Sequence, residues 1–213
     1  MIKTILMIGI KELMIYVVNF KEKIPKNGSV VINTTSSSSD DFGKQFSPFF
    51  LGPVKLYKNY HALKHENAWQ FSKVYKEHVD QDNNPCNKYW EWAEKGWSDN
   101  WAHRFPMGKG AKPLYSFWDG EKLDYISARK KIYIPLYSQL ITKTKAFEKL
   151  VEIKESMDKI GADLYLTDYD AYNHRKLNWT WDQVINCESK KMGHAFVLAM
   201  LLDGKGNNHL PSQ

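Results

Sequence analysis

The segment Lys191-Met-Gly-His-Ala-Phe-Val-Leu-Ala-Met-Leu-Leu202 is apolar along nearly its whole length. A helix that is apolar on every side must be surrounded by protein, so this segment predicts a helix buried in the core. Residues 123–137 and 145–159 have the pattern of two further helices. Pro135 is expected to kink the first or to begin a new helix, and Gly161 is placed to cap the second.

Strand signals are shorter and fewer. Apolar, β-branched or aromatic runs between polar loops lie at residues 30–32, 54–57 and 164–166. The balance of long helical and short strand patterns predicts a mainly α fold of the α+β class. At 213 residues the chain is expected to form one compact domain, residues 1–213.

The two ends of the chain differ in character. Residues 1–10 are mostly apolar, but Lys11 and Glu12 end this run too early for a signal peptide. Residues 1–20 are therefore expected to be an N-terminal extension or a strand. Residues 204–213 are polar and are expected to form a flexible tail.

The composition suits a protein with an anionic partner. Hydrophobic residues make up 43% and charged residues 25%, as in ordinary globular proteins, whereas 8 Trp and 12 Tyr accompany a net charge of +6. Positive charge with many flat rings favours nucleic acid or a nucleotide, although a solvated, lysine-rich surface is the alternative. Cys86 and Cys187 form no CxxC pair, which favours the reducing cytoplasm. No stretch reaches transmembrane length, so no membrane partner is predicted.

The stretch His65-Glu-Asn-Ala-Trp-Gln-Phe-Ser-Lys73 lies in residues 61–80, where no helix breaker occurs, and a helix is predicted there. At helical spacing Glu66, Gln70 and Lys73 share one stripe. A carboxylate, an amide and an ammonium aimed at one place suit a polar ligand with hydroxyls and negative charge. The alternative is a solvated helix face with a polar i, i+4 pair.

A pair of carboxylates follows the predicted strand at residues 164–166. Asp168 and Asp170 are flanked by Tyr165, Tyr169 and Tyr172. Aromatic surroundings tend to raise the pKa of a carboxyl group, which suits an acid or a base. The alternative is an Asx turn that caps the next segment.

His194 interrupts the apolar C-terminal helix just after Gly193. A lone histidine there is usually a satisfied core residue, but a position near a helix start also allows contact with a phosphate or a ligand. The chain has no HExxH motif and no paired His/Cys spacing, so neither a metal nor a cofactor is predicted.

Basic residues cluster in a loop rich in glycine and proline. Arg104, Lys109 and Lys112 could contact phosphates there, and Arg129 adds positive charge further along the chain. The loop lacks the GxxxxGK[ST] pattern of a P-loop. A solvated basic face is the alternative for each of these residues.

Three blocks within residues 46–202 resemble the NADAR superfamily of helical N-glycosidases. The stretch at residues 65–73 is similar to the Glu-His-x-x-Gln-x-x-Lys helix of that family. Residues 150–172 are similar to its leucine-rich helix and the acidic turn that follows, and residues 192–201 to its C-terminal helix, with His194 where asparagine is expected.

This resemblance implies hydrolysis of a base–sugar bond, with Glu66 and Asp168 or Asp170 as the two carboxylates that such chemistry requires. Gln70 would orient sugar hydroxyls, and Lys73 would hold a phosphate or stabilise the leaving group. The aromatic side chains that could stack on the base are Trp69 and the tyrosines around Asp168, Tyr169 among them.

The expected substrate is a modified base in DNA or an ADP-ribosylated base, as used in conflict between bacteria and phages. A base in a duplex would first have to be flipped out. The alternative function is a non-catalytic nucleic-acid-binding protein. The sequence makes no prediction of the oligomeric state.

Overall fold

The computed structural model describes residues 13–204. Its strands are β1 (Ile15–Asn19), β2 (Val30–Asn33), β3 (Val54–Lys55), β4 (His61–Ala62), β5 (Lys73–Val74), β6 (Tyr115–Trp118), β7 (Glu121–Leu123) and β8 (Leu164–Asp168). Its α-helices are α1 (Asp41–Lys44), α2 (His65–Gln70), α3 (Asn87–Trp97), α4 (Tyr125–Ala128), α5 (Ile134–Ile141), α6 (Lys145–Ile160), α7 (Trp181–Ile185) and α8 (His194–Leu202). A 3₁₀ turn (Lys76–His78) and a π-helical turn (Arg129–Tyr133) complete the set.

The strand β8 is the middle strand of a parallel sheet with the order β1-β8-β2. Leu164 at its start is opposite Ile15 in β1 and Val30 in β2. All side chains of β8 are buried, as expected for a parallel strand covered on both faces. Part of the predicted N-terminal extension or strand is therefore a core strand, while residues 1–12 and 205–213 lie outside the described residues.

The helix α8 is buried as its sequence predicts. Every residue except Leu201 is buried, and the helix packs on α5, β1 and β8. It begins at His194 rather than at Lys191, because Gly193 has the extended backbone of an N-cap residue. The predicted helix at residues 145–159 is also present as α6, and it ends at Gly161 in the left-handed conformation.

A second hydrophobic cluster surrounds α3 and the antiparallel sheet β5-β6-β7. Tyr89 and Trp97 of α3 are completely or almost completely buried in it. Trp69 and Leu140 pack against both this cluster and the one around α8. The α+β class predicted from the sequence is confirmed. Within the described residues, no helix has the length and apolar character needed to cross a membrane.

The single helix predicted across residues 61–80 is wrong. The helix α2 ends at Gln70, and Lys73 and Val74 pair with Ser116 and Tyr115 of β6. Hydrogen bonds from Phe117 to Ser72 and from Leu114 to Val74 extend this ladder. Pairing with a strand more than 40 residues away overrides the local helical pattern, because tertiary contacts outweigh weak helix propensities.

The helix predicted at residues 123–137 is present in three parts. It begins at Tyr125, because Leu123 belongs to β7 and the carboxylate of Asp124 caps the helix by accepting from the Ser127 amide. A π-helical turn interrupts it at Arg129–Tyr133, just before Pro135 in the first turn of α5. Pro135 has no backbone N–H and cannot donate to the carbonyl four residues earlier. The regular pattern of α-helical hydrogen bonds is therefore interrupted in this part of the helix.

Candidate functional site

A cavity of about 600 Å³ opens at the carboxyl end of β8. Its walls come from α2, the π-helical turn, the loop at residues 104–113 and the N-terminus of α8. The carboxyl ends of parallel strands commonly hold ligands in α/β proteins. Of the residues predicted to act in binding or catalysis, the following line this cavity: Glu66, Trp69, Gln70, Lys73, Arg104, Arg129, Asp168, Tyr169, Asp170 and His194.

A chain of hydrogen bonds joins Glu66, Gln70 and Lys73 along one wall. The Gln70 Nε2 atom donates to Glu66 Oε1 at 2.9 Å, and Lys73 Nζ donates to Gln70 Oε1 at 2.6 Å. The same Nζ atom lies 4.9 Å from the centre of the Trp69 ring. Lys73 is on β5 rather than on the helix α2. The chain turns back at Phe71, so the side chain of Lys73 still reaches the Gln70 amide.

Burial perturbs both charged groups of this chain. It raises the pKa of the Glu66 carboxyl from 4.5 to about 7, although the Gln70 hydrogen bond and the charges of Lys73 and Arg104 oppose the rise. It lowers the pKa of the Lys73 ammonium from 10.5 to about 8, against the opposing charge of Glu66. At neutral pH Glu66 therefore exchanges a proton readily, as a general acid or base requires.

Asp168 is held by the protein on several sides. Its Oδ2 atom is 3.1 Å from His194 Nδ1 and accepts from the Ala195 amide at the start of α8. Its Oδ1 atom accepts from the Asp170 amide, which is the Asx turn considered as an alternative. A Cβ atom on Gly193 would overlap the same carboxylate, so glycine is needed there. Asp168 thus fixes the acidic turn to α8.

Both ring nitrogens of His194 are used within the protein. Nε2 donates to the Thr34 carbonyl at 2.7 Å, and Nδ1 faces Asp168 Oδ2. A carbonyl only accepts, so Nε2 carries the proton in the hydrogen bond to Thr34. His194 lines the cavity but holds β2, β8 and α8 together. Both ring nitrogens thus face acceptors within the protein, and contact between His194 and a substrate stays a prediction.

Asp170 lies at the mouth of the cavity, between two cations. Arg104 Nη2 donates to its Oδ2 at 3.2 Å, and Lys191 Nζ is 3.7 Å from its Oδ1. The Arg104 guanidinium also packs 5.5 Å from the centre of the Tyr169 ring, which is about half exposed. This mouth offers positive charge and an aromatic face to a ligand.

The other predicted basic residues have different environments. Lys109 and Lys112 are exposed on the loop whose Gly108 and Gly110 line the cavity. Arg129 is 2% exposed, and its guanidinium donates to four backbone carbonyls, those of Val184, Ile185, Cys187 and Lys190. These four hydrogen bonds stabilise the end of α7 and the loop after it, and binding of nucleic acid by Arg129 stays a prediction.

Tyr133, at the end of the π-helical turn, is a cavity residue that the sequence patterns did not single out. Burial and the nearby charges of Asp168 and Glu66 raise the pKa of its hydroxyl well above the usual range. Tyr133 therefore stays a hydrogen-bond donor at neutral pH. The only sequence signal is Pro135, since π-helical turns often accompany functional sites but have no composition of their own.

Asn67 is a second residue that the sequence patterns missed. It is completely buried in α2, and its Nδ2 atom donates to the carbonyls of Asp99 and Trp101. Its Oδ1 atom accepts from the His103 amide at 2.9 Å. These hydrogen bonds join the segment before Arg104 to α2, the helix that carries Glu66. The two parts of the cavity wall that contain Arg104 and Glu66 are therefore fixed relative to each other.

Residues 16–178 match a family of unknown function, DUF6939. The chain belongs to this family. The match includes α2, β8 and the acidic turn, whereas Lys191 and α8 follow it in the chain. No curated protein matches the sequence. Among residues 13–204, no group of three or more His, Cys, Asp or Glu side chains is arranged to hold a metal ion.

Proposed function

We propose that this DUF6939 protein is an N-glycosidase that hydrolyses the bond between a base and a sugar. The observation that carries the proposal is the Glu66 carboxyl, which is buried in a nucleotide-sized cavity and has a pKa of about 7. The three blocks that resemble the NADAR superfamily contribute α2, the turn after β8 and α8, and all three meet at this cavity.

Cleavage of a base–sugar bond builds positive charge on the sugar and negative charge on the departing base. The Glu66 carboxylate would stabilise the sugar cation and take a proton from the attacking water. Gln70 holds Glu66 in place through the bond to Oε1. Asp170, of the acidic pair, is the second carboxylate, and the Tyr133 hydroxyl is a donor for the departing base.

The cavity walls suit a nucleotide or a nucleotide flipped from a strand. Trp69, Phe105 and Tyr169 offer ring faces for stacking, and Arg104 supplies charge for a phosphate at the mouth. Exposed lysines on the loop at residues 104–113 extend the positive surface away from the cavity. The resemblance to the NADAR superfamily leads us to propose a modified base in DNA, or an ADP-ribosylated base, as the substrate.

The test is the release of free base, or of ADP-ribose from the ADP-ribosylated substrate, by the wild-type protein and by a Glu66→Gln variant. Unmodified and heavily modified phage DNA, and ADP-ribosylated DNA, would be incubated with each protein, and released small molecules identified by mass spectrometry. The change preserves shape and hydrogen bonding but removes the charge, so we expect a loss of about a hundredfold or more in rate with binding retained. The control is Glu77→Gln, at an exposed glutamate, which should keep full activity. Full activity of the Glu66→Gln variant would contradict the assignment.

A non-catalytic nucleic-acid-binding protein is the second candidate. Trp101 is 79% exposed and lies on the segment that Asn67 holds rigidly, as a stacking platform for a base would be. A pure binding protein would release no base from any DNA, and its affinity would fall steeply with salt whether or not Glu66 is changed.

A further inference from the structure

Lys73 is placed unusually for a lysine. Its side chain lines the interior cavity, and its Nζ atom donates to the Gln70 amide oxygen and lies over the Trp69 ring, rather than pairing directly with a carboxylate. By contrast, Lys191 at the cavity mouth is mostly exposed and pairs with Asp170. An amine in a half-buried, aromatic-walled position is the setting in which lysines act as nucleophiles towards carbonyl groups.

The protonation state of Lys73 supports this use. Because burial lowers the pKa of the ammonium to about 8, roughly a tenth of the Lys73 side chains carry a free amine at pH 7. Only the free amine has the lone pair that attacks a carbonyl carbon. A solvated lysine would be almost entirely protonated at the same pH.

We propose that Lys73 forms a Schiff base with the aldehyde form of the sugar that remains after the base has left. The inference rests on the proposed function for its substrate, because hydrolysis of the base–sugar bond leaves a hemiacetal at C1 that opens to an aldehyde. The Nζ atom adds to C1, and the resulting carbinolamine loses water to give the imine. Glu66, held by the same Gln70 side chain, supplies the proton that leaves with this water.

An abasic deoxyribose in DNA allows one more step. The imine makes the C2 proton acidic, and a carboxylate such as Glu66 removes it. The electron pair forms the C2–C3 double bond as the C3–O bond breaks, and the 3′ phosphate leaves with the downstream strand. Water then hydrolyses the imine, which frees Lys73 and an unsaturated aldehyde. The balance needs no oxidant or reductant, and the result is a strand break at the abasic site.

Hydride trapping tests this directly. The full-length protein is mixed with an oligodeoxynucleotide that contains a preformed abasic site, and in parallel with ribose 5-phosphate, in the presence of sodium cyanoborohydride. The hydride reduces the imine to a stable amine, so we expect a covalent adduct that peptide mass spectrometry places on Lys73. A Lys73→Arg variant keeps the positive charge but has no nucleophilic amine, and we expect its adduct yield to fall at least tenfold.

The matched control is Lys76→Arg, at an exposed lysine close by in the chain, which should trap as wild type does. Melting temperatures of both variants show whether the fold is kept, and Lys73→Met replaces Lys73→Arg if that variant does not fold. The inference is overturned if wild type traps neither probe, or if the adduct persists undiminished in the Lys73 variant.

A preformed abasic site also separates this inference from the proposed function. Trapping on Lys73 without base release from any modified DNA would remove the glycosidase proposal and leave the Schiff base. Base release without trapping would do the opposite.

Discussion

The buried Glu66 carboxyl should destabilise the folded protein at neutral pH, so Glu66→Gln should stabilise it. In the folded state the pKa rises from 4.5 to about 7, because burial disfavours the charged form. At about 1.4 kcal/mol per pH unit, this rise corresponds to about 3 kcal/mol of unfolding free energy. The folded protein holds the proton that the unfolded chain loses between these pH values, so stability falls as pH rises through this window.

Glutamine cannot titrate and resembles the protonated acid in shape. Below pH 4.5 the wild type and Glu66→Gln should therefore have similar unfolding free energies, and above pH 7 the variant should be more stable. The gain should be smaller than about 3 kcal/mol, because the buried Lys73 ammonium loses the opposing charge of Glu66 in the variant. A gain in stability together with a loss of activity is typical when a protein keeps a functional group in an environment that destabilises the fold.

Urea unfolding of both proteins at several pH values from about 4 to about 8 measures this difference. Taking the difference between variant and wild type cancels every other titrating group that the change leaves unaffected. The control is Glu77→Gln, at an exposed site, where the difference should stay within about 0.5 kcal/mol. A flat difference for Glu66→Gln across the range would show that Glu66 is solvated, and the reasoning for its chemistry would fail with it.

Three further predictions concern the rest of the site. Arg129→Met should lower the unfolding free energy by about 3–5 kcal/mol in urea titrations, because buried carbonyls lose their donor. The control Lys131→Met, at an exposed lysine, should lower it by about 1 kcal/mol or less. Equal effects would contradict the structural role of Arg129. Replacing Arg104 and Lys109 by alanine should weaken nucleic-acid binding and lower the slope of log affinity against log salt by about one per lost contact; an unchanged slope would mark the loop as a solvated face. Base release should be the same with and without EDTA, and its loss in chelator would point to a metal in the reaction.

Local sequence patterns predicted the elements whose signal lies within a few turns of chain. The apolar run of α8 and the amphipathic pattern and glycine cap of α6 were sufficient. Burial on every side leaves a continuous apolar run in the sequence, and burial on one face leaves a periodic one. The same approach failed at residues 61–80. There Lys73 and Val74 form a strand because they pair with β6. A local sequence pattern contains no information about a pairing partner that lies so far away in the chain.

The site shows the same division. The sequence predicted that Glu66, Gln70 and Lys73 face one place, and they do so although only two of them share a helix. It could not distinguish Arg104 from Arg129, because one guanidinium reaches Asp170 across the cavity and the other is enclosed by backbone carbonyls.

The sequence by itself therefore determined the buried helix, the α+β class and the polar groups available for chemistry. Only the tertiary structure decided which charged groups share the cavity, that Asp168 and His194 are used to join its walls, and that Tyr133 belongs to it. The physical reason is the distance along the chain over which each effect acts. Periodicity and capping act over a few residues, whereas desolvation and charge proximity depend on segments such as α2 and β8, which are far apart in the chain and meet only in the folded protein.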